Sequence, residues 1–488
     1  MRIPFRQAAR FRGPAALPPT RSGAAAPDAS RPSAGAGPEE DAAVLGAEAS
    51  GRLARLIRCR TVSSRNPAEV DTGEFEAFIE ALRELYPTAH AVLEYERVNG
   101  YGLLFRWPGR TADRPVVLMA HYDVVPVADP DAWVHPPFSG AVADGSIWGR
   151  GTLDDKGALA AIMEAVESLA AAGFVPARDV YLSFGNNEET AGDTAAAAAA
   201  LLAARGVQPW LVLDEGGAVA SQAFPFIAAP MAVIGVSEKG ILDVELSAED
   251  PGGHASTPRR GGATARLARA ILRIDRRPFP ALLPDVPVEM LHRLAPAAPL
   301  PLRPVLRRAH RLRPALAAVF GRLGGEPGAM VRTTAAVTEM HGSPASNVLA
   351  TRASANVNIR VAVGEDIAGT LDRLRRVIAD PTIGLRVVEG TEPSPVSERG
   401  NDQFRLLEET VTAVFPDAVA APYIMLGGSD ARRFTGISDA VYRFAPFRMD
   451  GAARASIHAD NERLGIAAFG EGILFYRRLL QALPAAGL

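Results

Sequence analysis

The chain has 488 residues, 48% of them apolar, and a formal net charge of −3, which at roughly 150 residues per domain leaves room for two or three domains with a sizeable core. Near-neutral charge offers no electrostatic footprint for nucleic acid or an anionic membrane surface. One cysteine, Cys59, against eight histidines excludes an intramolecular disulfide framework, cysteine-rich zinc modules and cysteine-ligated iron–sulfur clusters. Any metal site must therefore be built from His, Asp and Glu. No run approaches the ~18 apolar residues of a membrane span, and the expected compartment is the cytoplasm.

Residues 1–40 are rich in Ala, Pro, Gly and Arg, with no acid before Asp28. They read as a disordered tail in preference to an organellar targeting peptide, and they lack the apolar stretch of a secretory signal. Order is expected from Asp41, with helical patterns through Leu53, Leu56 and Ile57 and again over 75–85. From Val116 the chain alternates in the α/β manner: strand 116–120, helix 156–172, strand 180–184, helix 193–204, strand 210–213. Near Ala232 the style changes. Residues 241–247 alternate as a sheet with one wet face does, a helix follows at 263–274, and 276–330 is Pro-, Arg- and Leu-rich like a helical insertion or lid. Strand 353–361 and helix 367–378 come next. The first style then returns, with helix 402–414, strands 423–425 and 440–444, and a long helix from about 461. The reading is an α/β catalytic domain (41–234 and 365–488) split by an inserted α+β domain (235–364).

Acidic and histidine clusters fall just past the predicted strand ends, where open α/β sheets bind ligands. His121 and Asp123 share one face of an extended chain, so a carboxylate can fix the imidazole tautomer that offers its other nitrogen to a metal. Gly149-Arg150-Gly151-Thr152-Leu153-Asp154-Asp155-Lys156-Gly157 opens a helix; one of its acids would serve as a cap, and two suit a carboxylate that bridges two cations. Glu188-Glu189 can divide into a metal ligand and a general base for a metal-held water. Asp214-Glu215-Gly216-Gly217 is a further acidic pair at a strand exit, and His458 precedes the final helix. Without cysteine, this is the donor set of a hydrolytic two-metal site for Zn2+, with Co2+ or Mn2+ as alternatives.

The chain resembles the M20 metallopeptidase family from about residue 42 to 480. The resemblance rests on Met119-Ala120-His121-Tyr122-Asp123-Val124-Val125-Pro126, on the 149–157 motif, on Asn187-Glu188-Glu189 and on Gly252-Gly253-His254-Ala255-Ser256-Thr257-Pro258. Val212-Leu213-Asp214-Glu215-Gly216-Gly217 and Val236-Ser237-Glu238-Lys239-Gly240 look most like its carboxypeptidase S and N-fatty-acyl-amino-acid synthase/hydrolase branch. The resemblance implies a mixed-sheet zinc-peptidase domain with an inserted dimerisation or lid domain, two Zn2+ per subunit, and a homodimer. It also implies roles. Asp154 bridges the metals, Glu189 and His458 complete one, and His121 with Glu215 the other, Asp214 being the rival for that last position. Asp123 orients His121, Glu188 is the catalytic base, and the 154–155 peptide is cis. His254 stabilises the oxyanion across a dimer interface, Arg360 pairs a substrate carboxylate, and Asn347 and the 427–430 loop wall the pocket.

The function implied is hydrolysis of N-acyl amino acids, or of the C-terminal bond of small peptides, by a metal-bridging water that Glu188 activates. The partner is a small molecule or peptide with a free carboxylate, with neither nucleic acid nor membrane. The competing readings are weaker. A serine hydrolase needs a Gly-x-Ser-x-Gly elbow, which is absent, and an inactive binding protein of the same fold would not need every ligand position and Glu188. His90, His135, His292, His310 and His341 read as structural or surface residues, and Cys59 as a small buried side chain.

Overall fold

A computed structural model describes residues 38–223 and 227–485. The expected tail, 1–40, lies outside the described residues except for its last three positions, which open the helix Pro38–Ile57.

The centre of the molecule is a ten-stranded mixed sheet. Val116–His121 lies parallel to Val180–Gly185 on one side and to Leu211–Asp214 on the other, and Val441–Arg443 continues in parallel beyond Leu211–Asp214. Parallel strands covered on both faces must be apolar throughout, and Val116–His121 is buried at every position. Its alternate residues feed two cores. Val116, Leu118 and Ala120 pack with the helices Pro38–Ile57, Lys156–Ala171 and Ile466–Gln481, while Val117 and Met119 pack with Thr194–Ala204. The antiparallel hairpin of Glu94–Val98 and Gly102–Trp107 closes one edge. Met231–Glu238, with Val419–Met425 parallel to it, extends the other.

A second, antiparallel sheet has the order Thr334–His341, Arg352–Val361, Gly240–Glu249, Ile383–Thr391. Its buried positions recur every second residue and pack under the helices Ala263–Arg276 and Ile367–Ile378. The opposite face is polar, with Asn356 and Asn358 both donating to Asp243 Oδ1 at 3.0 Å. The division expected after residue 364 falls inside this layer, because helix Ile367–Ile378 and strand Ile383–Thr391 complete it. Residues 285–330 form helices, as the composition indicates. They pack on the large sheet, however, where Met290, Leu291, Leu294, Leu306 and Ala317 meet Met231, Val233 and Ala421. The helix expected from about 461 begins at Ile466, because Arg463–Gly465 pairs with Ser146–Trp148 as a short strand.

The helices Pro38–Ile57 and Ile466–Gln481 approach so closely that a Cβ at Gly470 would stand 1.7 Å from the Ala42 carbonyl oxygen. Gly470→Val should therefore cost at least ~3 kcal/mol, since the obstacle is backbone that cannot rotate away. Gly51, in the helix Pro38–Ile57, is exposed with nothing near its Cβ position, and Gly51→Ala should add about 0.5–1 kcal/mol. Thermal or urea melts of the two variants check the pair.

Candidate metal centre

Three parallel strand ends deliver the acids and imidazole to one place. Val116–His121 ends on His121, Val180–Gly185 leads into the 3-10 turn Glu188–Thr190, and Leu211–Asp214 leads into Glu215. His121 is buried. Its Nδ1 lies 3.1 Å from the main-chain oxygen of Asp123 and 3.3 Å from that residue's carboxylate, leaving Nε2 2.9 Å from Asp154 Oδ1. The other oxygen of Asp154 is 3.0 Å from His458 Nε2, which also lies 3.1 Å from Glu189 Oε2. One carboxylate thus spans two imidazoles contributed from opposite ends of the chain. The 154–155 peptide is cis.

Asp123 has a wider role than orienting His121. Its carboxylate accepts Ser63 Oγ at 2.7 Å and the main-chain N–H groups of Glu188 and Glu189 at 3.1 and 3.2 Å, so it also fixes the turn that presents both glutamates. Asp214 is engaged similarly, accepting the N–H groups of Glu215 at 2.9 Å and Ala431 at 2.6 Å. With its oxygens occupied, Asp214 is the poorer donor of the pair; Glu215 lines the adjoining cavity, and Asp214 does not.

The arrangement fits divalent cations. Donor atoms of His121, Asp154 and Glu189 lie within 4.8 Å of one another. Among the described residues, the buried Glu189 Oε1 has no hydrogen-bond partner, a costly state for a carboxylate oxygen unless a cation satisfies it. The electrostatics agree. Burial, followed by the charges of Asp154, Asp155, Asp214 and Glu188, pushes the Glu215 carboxyl well above its usual range. Burial and the neighbouring Asp430, Asp154 and Glu189 do the same to Glu188. Asp430 is raised to about 8 by burial and Asp214. The carboxylates of Asp154 and Glu189 hold His458 up at about 10. Burial opposes the charge on His121, and Asp123 and Asp154 outweigh it. So many acids with so few cations have an excess of negative charge that bound metal ions would neutralise.

These residues open on a cavity of about 680 Å³. Its polar end holds Asp154, Glu188, Glu189, Glu215 and His458, faced by Arg360 from the wet side of the second sheet. The Gly427, Gly428, Ser429 and Asp430 loop lines it as expected. Met231, Val233, Met330 and Tyr423, which share one apolar cluster, also line it, with Met425, Met449, Glu326 and Arg454. His254 and Asn347 are not brought to this cluster within one chain. Both are exposed beside the short pairing of Gly253–His254 with Val348–Leu349, where His254 Nδ1 meets Ser256 Oγ at 2.7 Å and the Asn347 carbonyl accepts Ala255 N–H.

Sequence reasoning assigned no role to Glu462, although it lies four residues past His458. It is fully buried. Its Oε1 accepts the main-chain N–H groups of Gly151, Leu153 and Asp154 at 3.0, 2.8 and 3.2 Å, and its Oε2 pairs with Arg150 at 2.7 Å. Glu238 was missed as well; it receives Ser429 Oγ at 3.0 Å and the Arg432 guanidinium, so it pins the 427–432 loop. The visible signals were an acid–base pair of residues inside known motifs (Arg150 and Glu462) and a charged residue in an otherwise apolar strand (Glu238).

The model of peptidase family M20/M25/M40 matches residues 117–482. The chain is 33% identical over 443 residues to a probable carboxypeptidase S-like 2 from Dictyostelium discoideum, covering 89% of this chain and 85% of that one. It is 33% identical over 428 residues to the human N-fatty-acyl-amino acid synthase/hydrolase PM20D1, covering 86% and 84%. Among solved structures, an M20 family metallo-carboxypeptidase from Sulfolobus solfataricus superposes with a TM-score of 0.62 at 17% identity, covering 89% of this chain and 98% of that one. Human carnosine dipeptidase 1 does so with a TM-score of 0.61 at 15% identity, covering 91% and 99%.

Because Glu462 grips the loop that carries Asp154, Glu462→Ala should destabilise the fold by about 3–5 kcal/mol by stranding Arg150. It should also weaken metal binding about 10–100-fold. Glu462→Gln keeps an acceptor for the three N–H groups and should recover part of both. Thermal melts and metal titrations separate the two effects.

Proposed function

The chain belongs to peptidase family M20/M25/M40 and is a hydrolase, and on that premise we propose that it is a two-metal amidohydrolase releasing amino acids from N-acyl amino acids with an apolar acyl group. The observation that carries this reading is the cavity, whose lining combines Asp154, Glu188, Glu189, Glu215 and His458 with Arg360 and with the apolar cluster of Met231, Val233, Met330 and Tyr423. The proposed ligand set is Glu189 and His458 for one metal and His121 and Glu215 for the other, with Asp154 between them. Zinc suits this nitrogen and oxygen donor set best, with cobalt or manganese as alternatives. An inactive binding protein is disfavoured, because every proposed ligand and Glu188 are present.

Divalent ions bound there would supply the Lewis acidity that polarises an amide carbonyl and acidifies water near neutral pH. The protein's own residues do the rest. Glu188 takes the proton of the attacking water and returns it to the leaving amine. Arg360 pairs the free carboxylate of the amino acid, which fixes the scissile bond beside Asp154. The acyl group lies along Met231, Val233, Tyr423 and Met425. His254 of the partner subunit would stabilise the oxyanion in a homodimer, since it stands away from the site of its own chain.

Chelation should abolish hydrolysis and added zinc restore it, with two equivalents bound; a protein that takes up no more than traces of zinc, cobalt or manganese sinks the reading. Glu188→Gln should retain both metals and lose about 10²–10⁴-fold in kcat. Arg360→Leu should raise KM at least ~10-fold for substrates with a free carboxylate while leaving carboxamide analogues unaffected. Across acetyl-, long-acyl- and dipeptide substrates, kcat/KM should be highest for long acyl chains. Turnover of dipeptides alone would replace the acyl preference with a carboxypeptidase reading.

A further inference from the structure

The charge of this chain is segregated. Residues 259–325 hold fourteen arginines and only three acids, Asp275, Asp285 and Glu289, in a chain whose total is −3. Among the described residues, Arg276, Arg277, Arg307, Arg308, Arg311 and Arg322 are exposed and form no ion pair. Exposed leucines occur in the same stretch. All four exposed leucines among the described residues, Leu272, Leu282, Leu300 and Leu323, fall within it, at 49–75% exposure.

The helices Arg303–Arg307 and Arg313–Leu323 are anchored from beneath by Leu306, Ala309 and Ala317 in one core. Positions 304, 307, 308 and 311, and then 315, 319, 322 and 323, are exposed at three- and four-residue spacing, so each helical stretch turns one face outward. Only five residues, 308–312, join the helices. The Cβ position of Gly321 lies 3.1 Å from the Ala281 side chain, so Leu282, next in the chain, adjoins the helix that carries Arg322 and Leu323. The next helix, Gly325–Met330, lines the cavity with Glu326, Pro327 and Met330.

We propose that this outer face docks on an anionic membrane surface, with the arginines at the lipid headgroups and Leu282, Leu300 and Leu323 in the acyl boundary. Arginine supplies the charge complementarity to anionic lipid, and interleaved leucines suit the interfacial layer of a bilayer. A nucleic acid has no use for exposed leucines, and a second copy would set arginine against arginine. Docking of this kind is peripheral, consistent with the absence of any helix long and apolar enough to cross a membrane among the described residues. The inference goes beyond the proposed reaction and does not depend on it.

The test is co-sedimentation of the full chain with phosphatidylcholine vesicles containing about 30% phosphatidylserine, against pure phosphatidylcholine, at about 0.1 M and 0.5 M NaCl. Binding is expected to the anionic vesicles only, falling at least ~10-fold at the higher salt. At about fivefold per charge, Arg307→Glu, Arg308→Glu and Arg311→Glu combined should lower partitioning by about 100-fold or more. Leu300→Asp with Leu323→Asp should weaken binding without altering its salt dependence. Thermal melts of both variants unchanged from wild type show that they fold. The proposal fails if the wild-type chain does not bind the anionic vesicles at 0.1 M NaCl, or if the triple variant binds as tightly as wild type. It also fails if the leucine pair is without effect while a DNA duplex binds as tightly as the vesicles, which would mark a general polyanion surface.

Discussion

The carboxylate of Asp154, held between His121 and His458, is the constraint on which the rest of the structure depends. Burying an acid among other acids is unfavourable unless cations are within reach, and the fold is arranged so that imidazoles, and metal ions where they bind, are placed there. Asp154 cannot find this position from its own neighbourhood. Its loop is gripped by Glu462, which follows His458 closely in the chain, so one short segment both supplies an imidazole to Asp154 and holds the distant loop that carries it. His458 itself adopts a left-handed backbone (φ 60°), as does Asn461 (φ 64°). Both are residue types that tolerate this region better than most.

Around that point the layers divide the work. The parallel strands of the large sheet are stiff, buried and end together, which suits them to carry ligands. The second sheet has one wet face, and that face reaches the cavity with Arg360. The arginine-rich segment, with its helices packed on strand Met231–Glu238 and its partner, supplies apolar wall inside and basic surface outside. Neutral overall charge is thus an average that hides an acidic pocket and a basic segment at 259–325.

Regular elements were legible because their patterns are local. The buried run 116–120, the alternation at 241–247 and 353–361, and the helix 367–378 all appear with bounds within a few residues of expectation. The clusters around His121, Asp154, Glu188–Glu189, Glu215 and His458 were equally legible, since strand ends concentrate polar residues where a sheet stops. Partnerships between distant segments were not. Nothing in the periodicity indicates that 285–330 covers the large sheet or that Ile383–Thr391 joins the smaller one, because a helix or strand pattern states which face is buried and not what buries it.

The sequence by itself determined the chemistry available: histidine and carboxylate donors without sulfur, paired glutamates at a strand exit, and an arginine on a wet strand face. Tertiary structure alone decided how these groups divide. It occupied Asp214 with main-chain N–H groups and left Glu215 on the cavity, gave Glu462 the task of holding Asp154, and set His254 and Asn347 apart from the site of their own chain. The physical reason is that a side chain's type fixes what it can bind. Which of its hydrogen bonds are already taken depends on residues that only folding brings near.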